Sequence, residues 1–203
     1  AGDPWEAIGE ALREDTNLRA ITPRVAELVT YCVLEGTSTK ALAEAAALPR
    51  PQAKAAVAAW RDRFPQASAW LAKVGAEAAR SLRATTLLGR PRTVPFPPRL
   101  GGAARAAAVG AAHVVVGTAA DVVGLTVLEL GRRPALRDAV VGVHREGLLL
   151  EVPRAGRAAA VEELRRVGQA PPGLPLAQEL RVVVGCGASW EEAAAGAVAP
   201  GGP

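Results

Sequence analysis

Apolar residues recur at helical spacing through the first part of the chain. After Thr22-Pro23, the side chains of Val25, Leu28, Val29, Cys32 and Val33 fall on one stripe. That spacing predicts an amphipathic helix running to about Glu35 and stopped by Gly36. Gly2-Asp3-Pro4-Trp5 opens a shorter helix through about Leu12, with Asp3 as N-cap and Pro4 at the first helical position. Thr37 or Ser38 caps a third through about Ala47, ended by Leu48-Pro49. Pro51 begins a fourth through about Arg63, with Val57 and Trp60 as anchors. Phe64-Pro65 breaks it, and a fifth runs from about Gln66 to Leu82 with Trp70, Leu71 and Val74 inward. These alanine-rich helices in succession predict a helical lobe.

The pattern then changes. Arg83 to Leu88 is short and β-prone, and Gly89 to Pro95 reads as a basic, proline-punctuated loop. Phe96 to Arg99 reads as a connector. Gly101 to Ala112 is helix-compatible but nearly all alanine and glycine, and Gly117 begins a firmer helix to about Leu130. Ala139 to Pro153, AVVGVHREGLLLEVP, places two aliphatic runs around a polar centre. It predicts a tight β-hairpin, with Gly147 giving the turn its freedom. Taken alone, Arg145 and Glu146 at its tip read first as solvated turn residues, with groups presented to a cleft as the alternative. A helix from about Arg157 to Val167, a proline-rich loop at 171–175, a strand from Glu179 to Val184 and a short helix capped by Ser189 complete the chain. The tail from Pro200 is expected to be disordered.

Composition adds limits. Hydrophobic residues make up 50% of the 203 residues but aromatics only 3%, so the core is expected to be helix-rich and thinly packed. Net charge is +4, compatible with polyanion binding without establishing it. Cys32 and Cys186 have no metal-ligand spacing and make no disulfide framework, which points to a reducing intracellular compartment, nucleus or cytoplasm. No apolar run reads as membrane-spanning and no signal peptide opens the chain, so no membrane partner is expected. Methionine is absent even from position 1, as in a processed chain or a fragment.

Phosphate-loop motifs GxxxxGK[ST] and GxGxxG do not occur. Only His113 and His144 could serve a nucleophile triad, and neither has a positioned Ser or Cys nearby in sequence. The loop Arg90-Pro91-Arg92 could grip phosphates, with Arg99 and Arg105 extending the patch; a solvated loop is the alternative.

An ordered set of motifs then resembles the fingers-and-palm portion of family A DNA polymerases, the bacterial polymerase I, theta and nu type. Gly2-Asp3-Pro4-Trp5 resembles the family's Gly-x-Asp-x-His segment, with Trp5 in place of histidine. Arg24 to Gly36 resembles the fingers helix that receives the nucleotide, followed by Gly36-Thr37-Ser38 for Gly-x-Ser. Phe64-Pro65 and Trp70 match FP-x(4)-W, and Gly89 to Pro95 resembles GRRR-x-xP. Val115 to Asp121 resembles VQGTAAD, Val143-His144-Arg145-Glu146 resembles the palm's VHDE, and Val184 to Trp190 resembles VG-x-G-x-x-W. The resemblance implies an α/β (α+β) right-hand fold: helical fingers over 1–88, a palm of antiparallel strands backed by helices over 89–195, and a tail at 196–203.

The departures fall on the chemistry. Family members transfer phosphoryl groups with two metals held mainly by two palm aspartates. Arg145 stands where the second belongs, and arginine offers a cation no lone pair and a permanent like charge. The first aspartate would lie upstream of this chain. Glu27 replaces the lysine that meets the triphosphate, Pro23 replaces a helix arginine and leaves Arg24 alongside, Glu35 replaces a tyrosine, and Val116 replaces a glutamine that contacts the strands. Tyr31 survives at the position facing the nucleotide sugar. Gly147 reads as an insertion after Glu146 that alters the outgoing strand's register.

The implied function is therefore a non-catalytic polymerase-like module in replication or repair, binding primer-template or duplex DNA, a protein partner or the missing polymerase half. Its degenerate catalytic positions are His144, Arg145, Glu146 and Glu27. The nucleotide-facing remnant is Arg24 and Tyr31, and the DNA contacts are Arg90, Arg92, Arg99 and Arg105. No cofactor or metal is expected. Two alternatives remain: an active lobe completed outside this chain, the one case that would need Mg²⁺, and a pure protein-interaction scaffold.

Overall fold

The computed structural model describes residues 3–95, 102–144, 147–174 and 179–196. Two compact units divide at Ala1–Gly117 and Thr118–Pro203, where the sequence reading set its boundary at 88/89.

Capping chemistry sets the first helices. Asp3 accepts the Trp5 N–H at the start of α1 (Pro4–Thr16), and Thr22 accepts the Val25 N–H at the start of α2 (Pro23–Leu34). Expected to stop near Leu12, α1 instead continues one turn. There the Arg13 guanidinium bonds the Ile21 carbonyl at 2.5 Å, and Asn17 closes the helix with φ 55°. Gly36 ends α2 at φ +66°, and the Thr37 N–H reaches back to the Cys32 carbonyl at 3.0 Å, the Schellman termination. Ser38 caps α3 (Thr39–Ala45), and α4 (Arg50–Arg63) follows.

The core of these helices is built from Leu12, Ile21, Val25, Val29, Leu42, Leu48, Val57 and Trp60 among smaller residues. Trp60 anchors it, as expected. Its ring lies 4.9 Å from Phe64, its Nε1–H donates to Thr30 Oγ1 at 3.0 Å, and that hydroxyl donates to the Ala26 carbonyl at 2.9 Å. A buried indole N–H thus finds a partner that is itself satisfied.

The second half of the first unit departs from the sequence reading. In α5 (Pro65–Ser81) Trp70 is 45% exposed rather than inward, because the buried residues are Gly75 and Ala78. The segment read as a basic loop contains a strand: β1 (Arg83–Thr85) pairs antiparallel with β2 (Pro91–Thr93). The two helices expected over 101–130 are one, α6 (Ala103–Gly131), of 29 residues. Alanine's high propensity carries it through Gly117, where the sequence reading began a new helix. As one helix it is long and apolar enough, by length and composition, to cross a membrane, which corrects the expectation that no run reaches that length. The connector at 96–99 lies outside the described residues.

Alanine and glycine let this helix be approached closely. A Cβ on Gly110 would lie 2.1 Å from Ala78 Cβ, and one on Gly75 3.0 Å from the Ala107 carbonyl oxygen. Ala78, Ala84, Val94 and Ala106 form the resulting core.

In the second unit, β3 (Val140–His144) and β4 (Gly147–Leu150) form the expected hairpin. Gly147 begins β4 opposite His144 and has no positive φ, so the freedom assigned to it is not used. The register shifts on β3 between Val140 and Gly142. A 3₁₀ turn (Arg154–Gly156) leads into α7 (Arg157–Gln169), and Ser189 caps α8 (Trp190–Ala195). Leu130, Leu136, Ala139, Ala160 and Val167 form the core. The strand expected at 179–184 does not form; only Val184 makes a bridge. Packing against α7 holds the segment instead: the Leu180 N–H donates to the Gln169 carbonyl at 2.8 Å, and Val182 presses on the space above Gly168. The expected tail at 196–203 lies outside the described residues beyond Gly196.

Two glycines of α6 should respond oppositely to alanine. Gly110→Ala forces a backbone-borne atom into Ala78 and is expected to cost about 1–3 kcal/mol. Gly124→Ala, with nothing within 4 Å of the new Cβ, is expected to gain roughly 0.5–1 kcal/mol from helix propensity. Thermal unfolding of both variants checks this.

Glu163 gives a pH prediction. Its hydrogen bond to Arg166 first, then the charges of Arg166 and Arg133, lower its pKa from 4.5 to about 2. A carboxylate depressed on folding stabilises above its unfolded pKa and loses that contribution as pH falls through its folded one. Glu163→Gln should therefore lower the unfolding temperature at neutral pH, and the difference from the unaltered chain should close between pH 4.5 and about 2.

Candidate functional site

Residues 24, 27 and 31 of α2 lie three and four positions apart and share one face. Arg24 Nη1 and Glu27 Oε2 meet at 2.5 Å on that face, the arginine 69% and the glutamate 23% exposed. An intrahelical pair of this kind adds only about 0.2–0.5 kcal/mol to stability. Its consequence is electrostatic: the cation beside Tyr31 is neutralised within its own helix. The half-buried Tyr31 ring packs against Trp5 of α1, centroids 6.0 Å apart at 44°. The structure thus pairs Arg24 with Glu27 and sets Tyr31 against Trp5, which the sequence reading noted only as a substituted histidine.

Arg90 follows the turn that joins β1 to β2, where Gly89 has φ +87°. Its guanidinium Nη2 donates to the Gly117 carbonyl of α6 at 2.8 Å. Its backbone is held as well: its N–H donates to Thr86 Oγ1 at 3.0 Å, and its carbonyl accepts the Thr86 N–H at 3.0 Å. That carbonyl also takes a bond from His113 Nε2 at 3.3 Å, so this nitrogen carries the proton. His113 is buried, and it shares with Thr86 the space a Cβ on Gly117 would need. Sequence reasoning missed this cluster. The only local signal was the i, i+4 spacing of His113 and Gly117.

The other expected DNA contacts divide. Arg92 is exposed on β2, Arg105 is exposed near the start of α6, and Arg99 lies outside the described residues.

In the second unit, His144 ends β3 and its ring meets Trp190 edge-on, centroids 5.7 Å apart at 71°. Arg145 and Glu146 lie outside the described residues. A cleft of about 1100 Å³ opens between β4, α7 and the segment 183–194, with an apolar floor of Leu148, Leu150, Leu164 and Val183 and with Arg154 and Arg157 among its lining residues. The exposed Cys186 also lines it. Among the described residues no three His, Cys, Asp or Glu side chains group to hold a metal ion.

The model of DNA polymerase family A matches residues 14–192, and the chain belongs to that family. Its structure is similar to the POL domain of Pol1 from M. smegmatis, solved in complex with DNA primer-template and dNTP. The TM-score is 0.71 at 25% sequence identity, over 92% of this chain and 34% of that one, so the chain spans about a third of that structure's length. No curated protein matches it. The helix-rich α+β architecture is thus that of a family A fingers-and-palm portion.

Proposed function

We propose that this family A chain is a non-catalytic polymerase-like module that binds DNA in a replication or repair setting. The carrying observation is the Arg24–Glu27 pair. A surface that attracts a triphosphate needs uncompensated positive charge, and here the remaining cation is matched by a carboxylate three residues on. The sequence supports the same reading at the palm. Arg145 replaces a carboxylate that would ligate a divalent metal, and a guanidinium has no lone pair to offer. A guanidinium at that position does not fit the family's metals.

DNA binding is supported by the likeness to a chain solved in complex with DNA primer-template and by the exposed arginines of the β1–β2 region. Such contacts act on backbone phosphate and give affinity without sequence preference. A reducing compartment suits the two free cysteines. The second reading, a protein-interaction scaffold, is favoured by Val141 and Val143, exposed side by side on β3.

Primer extension with Mg²⁺ or Mn²⁺ is expected to give no template-dependent synthesis, and incorporation would overturn the non-catalytic reading. Arg145→Asp alone is expected to stay inactive, because Glu27 still repels the triphosphate. Anisotropy with labelled primer-template should show binding that weakens on the order of ten- to a hundredfold for a fourfold rise in salt. No binding at low salt would leave the scaffold reading.

A further inference from the structure

The charge of this chain is concentrated in one place. Between Glu77 and Asp121 there are six arginines and not one acidic residue, so the remainder carries 18 basic against 20 acidic side chains. Arg80 belongs to Glu77, which it grips through both carboxylate oxygens. Arg99 lies outside the described residues. Arg83 and Arg92 stand on the β1–β2 hairpin.

The register sorts that hairpin into two faces. Arg92 pairs with the buried Ala84, and Arg83 pairs with Thr93. Directly opposed residues share a face and neighbours along a strand alternate. One face therefore carries Ala84, Thr86, Arg90, Arg92 and the fully buried Val94; it is tied to α6 through Arg90 and His113, although Arg90 and Arg92 remain exposed on it. The other carries Arg83, Thr85 and Thr93, all exposed.

We infer that this outward face is a binding surface for the sugar-phosphate backbone of duplex DNA, with Arg83, Thr85 and Thr93 as its donors. Arg90, which the sequence reading placed among the contacts, acts instead as a positioning residue. A guanidinium and two hydroxyls on a short rigid ribbon are the donor types that phosphate oxygens take, and the ribbon lies in a sequence stretch without acidic residues. The Arg90–Gly117 bond and the His113–Arg90 bond fix the ribbon to α6, so the donors are held in place before DNA arrives. The inference rests on the DNA-binding reading and names which groups carry it.

The test is anisotropy of a fluorescein-labelled primer-template duplex with the full chain over a salt series. Arg83→Ala is expected to weaken binding about tenfold and to reduce the slope of log affinity against log salt by about one, while Arg83→Lys keeps the slope. Thr85→Val with Thr93→Val, which keeps β-branched residues in the strands, should weaken binding severalfold at unchanged slope. Arg90→Lys keeps the charge but not the planar fork, so a brace predicts weaker binding at unchanged slope and a simple contact predicts none. Equal thermal unfolding of Arg83→Ala and the unaltered chain excludes misfolding. Unchanged affinity and slope for Arg83→Ala would overturn the surface while leaving DNA binding intact. Full affinity for Arg90→Lys would overturn the brace. Failure of the unaltered chain to bind at low salt would overturn the DNA reading and this inference together.

Discussion

Close approach to the N-terminal half of α6 is the constraint on which the first unit depends. Ala107, Ala108, Gly110 and Gly117 leave no side chain thick enough to hold a neighbour away. Gly36 at the end of α2 meets Ala108, Gly75 and Ala78 of α5 meet Ala107 and Gly110, and Thr86 meets Gly117. Such contacts bury little apolar area per residue, so their stabilisation comes from many short dispersion contacts rather than from large side chains. The scarcity of aromatics fits this plan, with Trp60 and its chain to Thr30 and Ala26 serving the separate core of α1 to α4. The same closeness brings the Gly117 carbonyl within reach of Arg90, so packing by small residues also fixes the cationic hairpin.

Two electrostatic decisions follow from that frame. On α2 the charge is cancelled where it stands, Arg24 by Glu27. The hairpin instead lies in a stretch of chain that holds six arginines and no acidic residue between Glu77 and Asp121. A surface of the first kind has little to offer a triphosphate, and one of the second kind suits a polyanion backbone. Membership of DNA polymerase family A explains why both surfaces sit on one scaffold. On the proposed reading, the difference between them is what separates a DNA-binding, polymerase-like module from one that also takes a nucleotide.

Local chemistry was legible in the sequence, and non-local contact was not. Asp3-Pro4, Thr22-Pro23 and Ser38 place helix starts because capping involves only neighbours, and Gly36 ends α2 for the same reason. Gly117 misled because glycine reads as a helix boundary when its reason for being there is a neighbour distant in sequence. Pro91 misled too, since proline argues against a strand, yet at the end of a two-stranded ribbon it need not donate. Val182, read as a strand residue, is instead held by packing at Gly168. The brace at Arg90 depends on a carbonyl 27 residues away, and no local pattern announces it.

The central claim is that DNA affinity and nucleotide affinity have come apart in this chain. Equilibrium binding of a labelled, template-matched dNTP to the chain already bound to primer-template, with Mg²⁺ present, tests it most directly. The account predicts a saturable complex with DNA that the nucleotide neither joins nor tightens. A matched dNTP that binds this complex, and does so more tightly than a mismatched one, would contradict it.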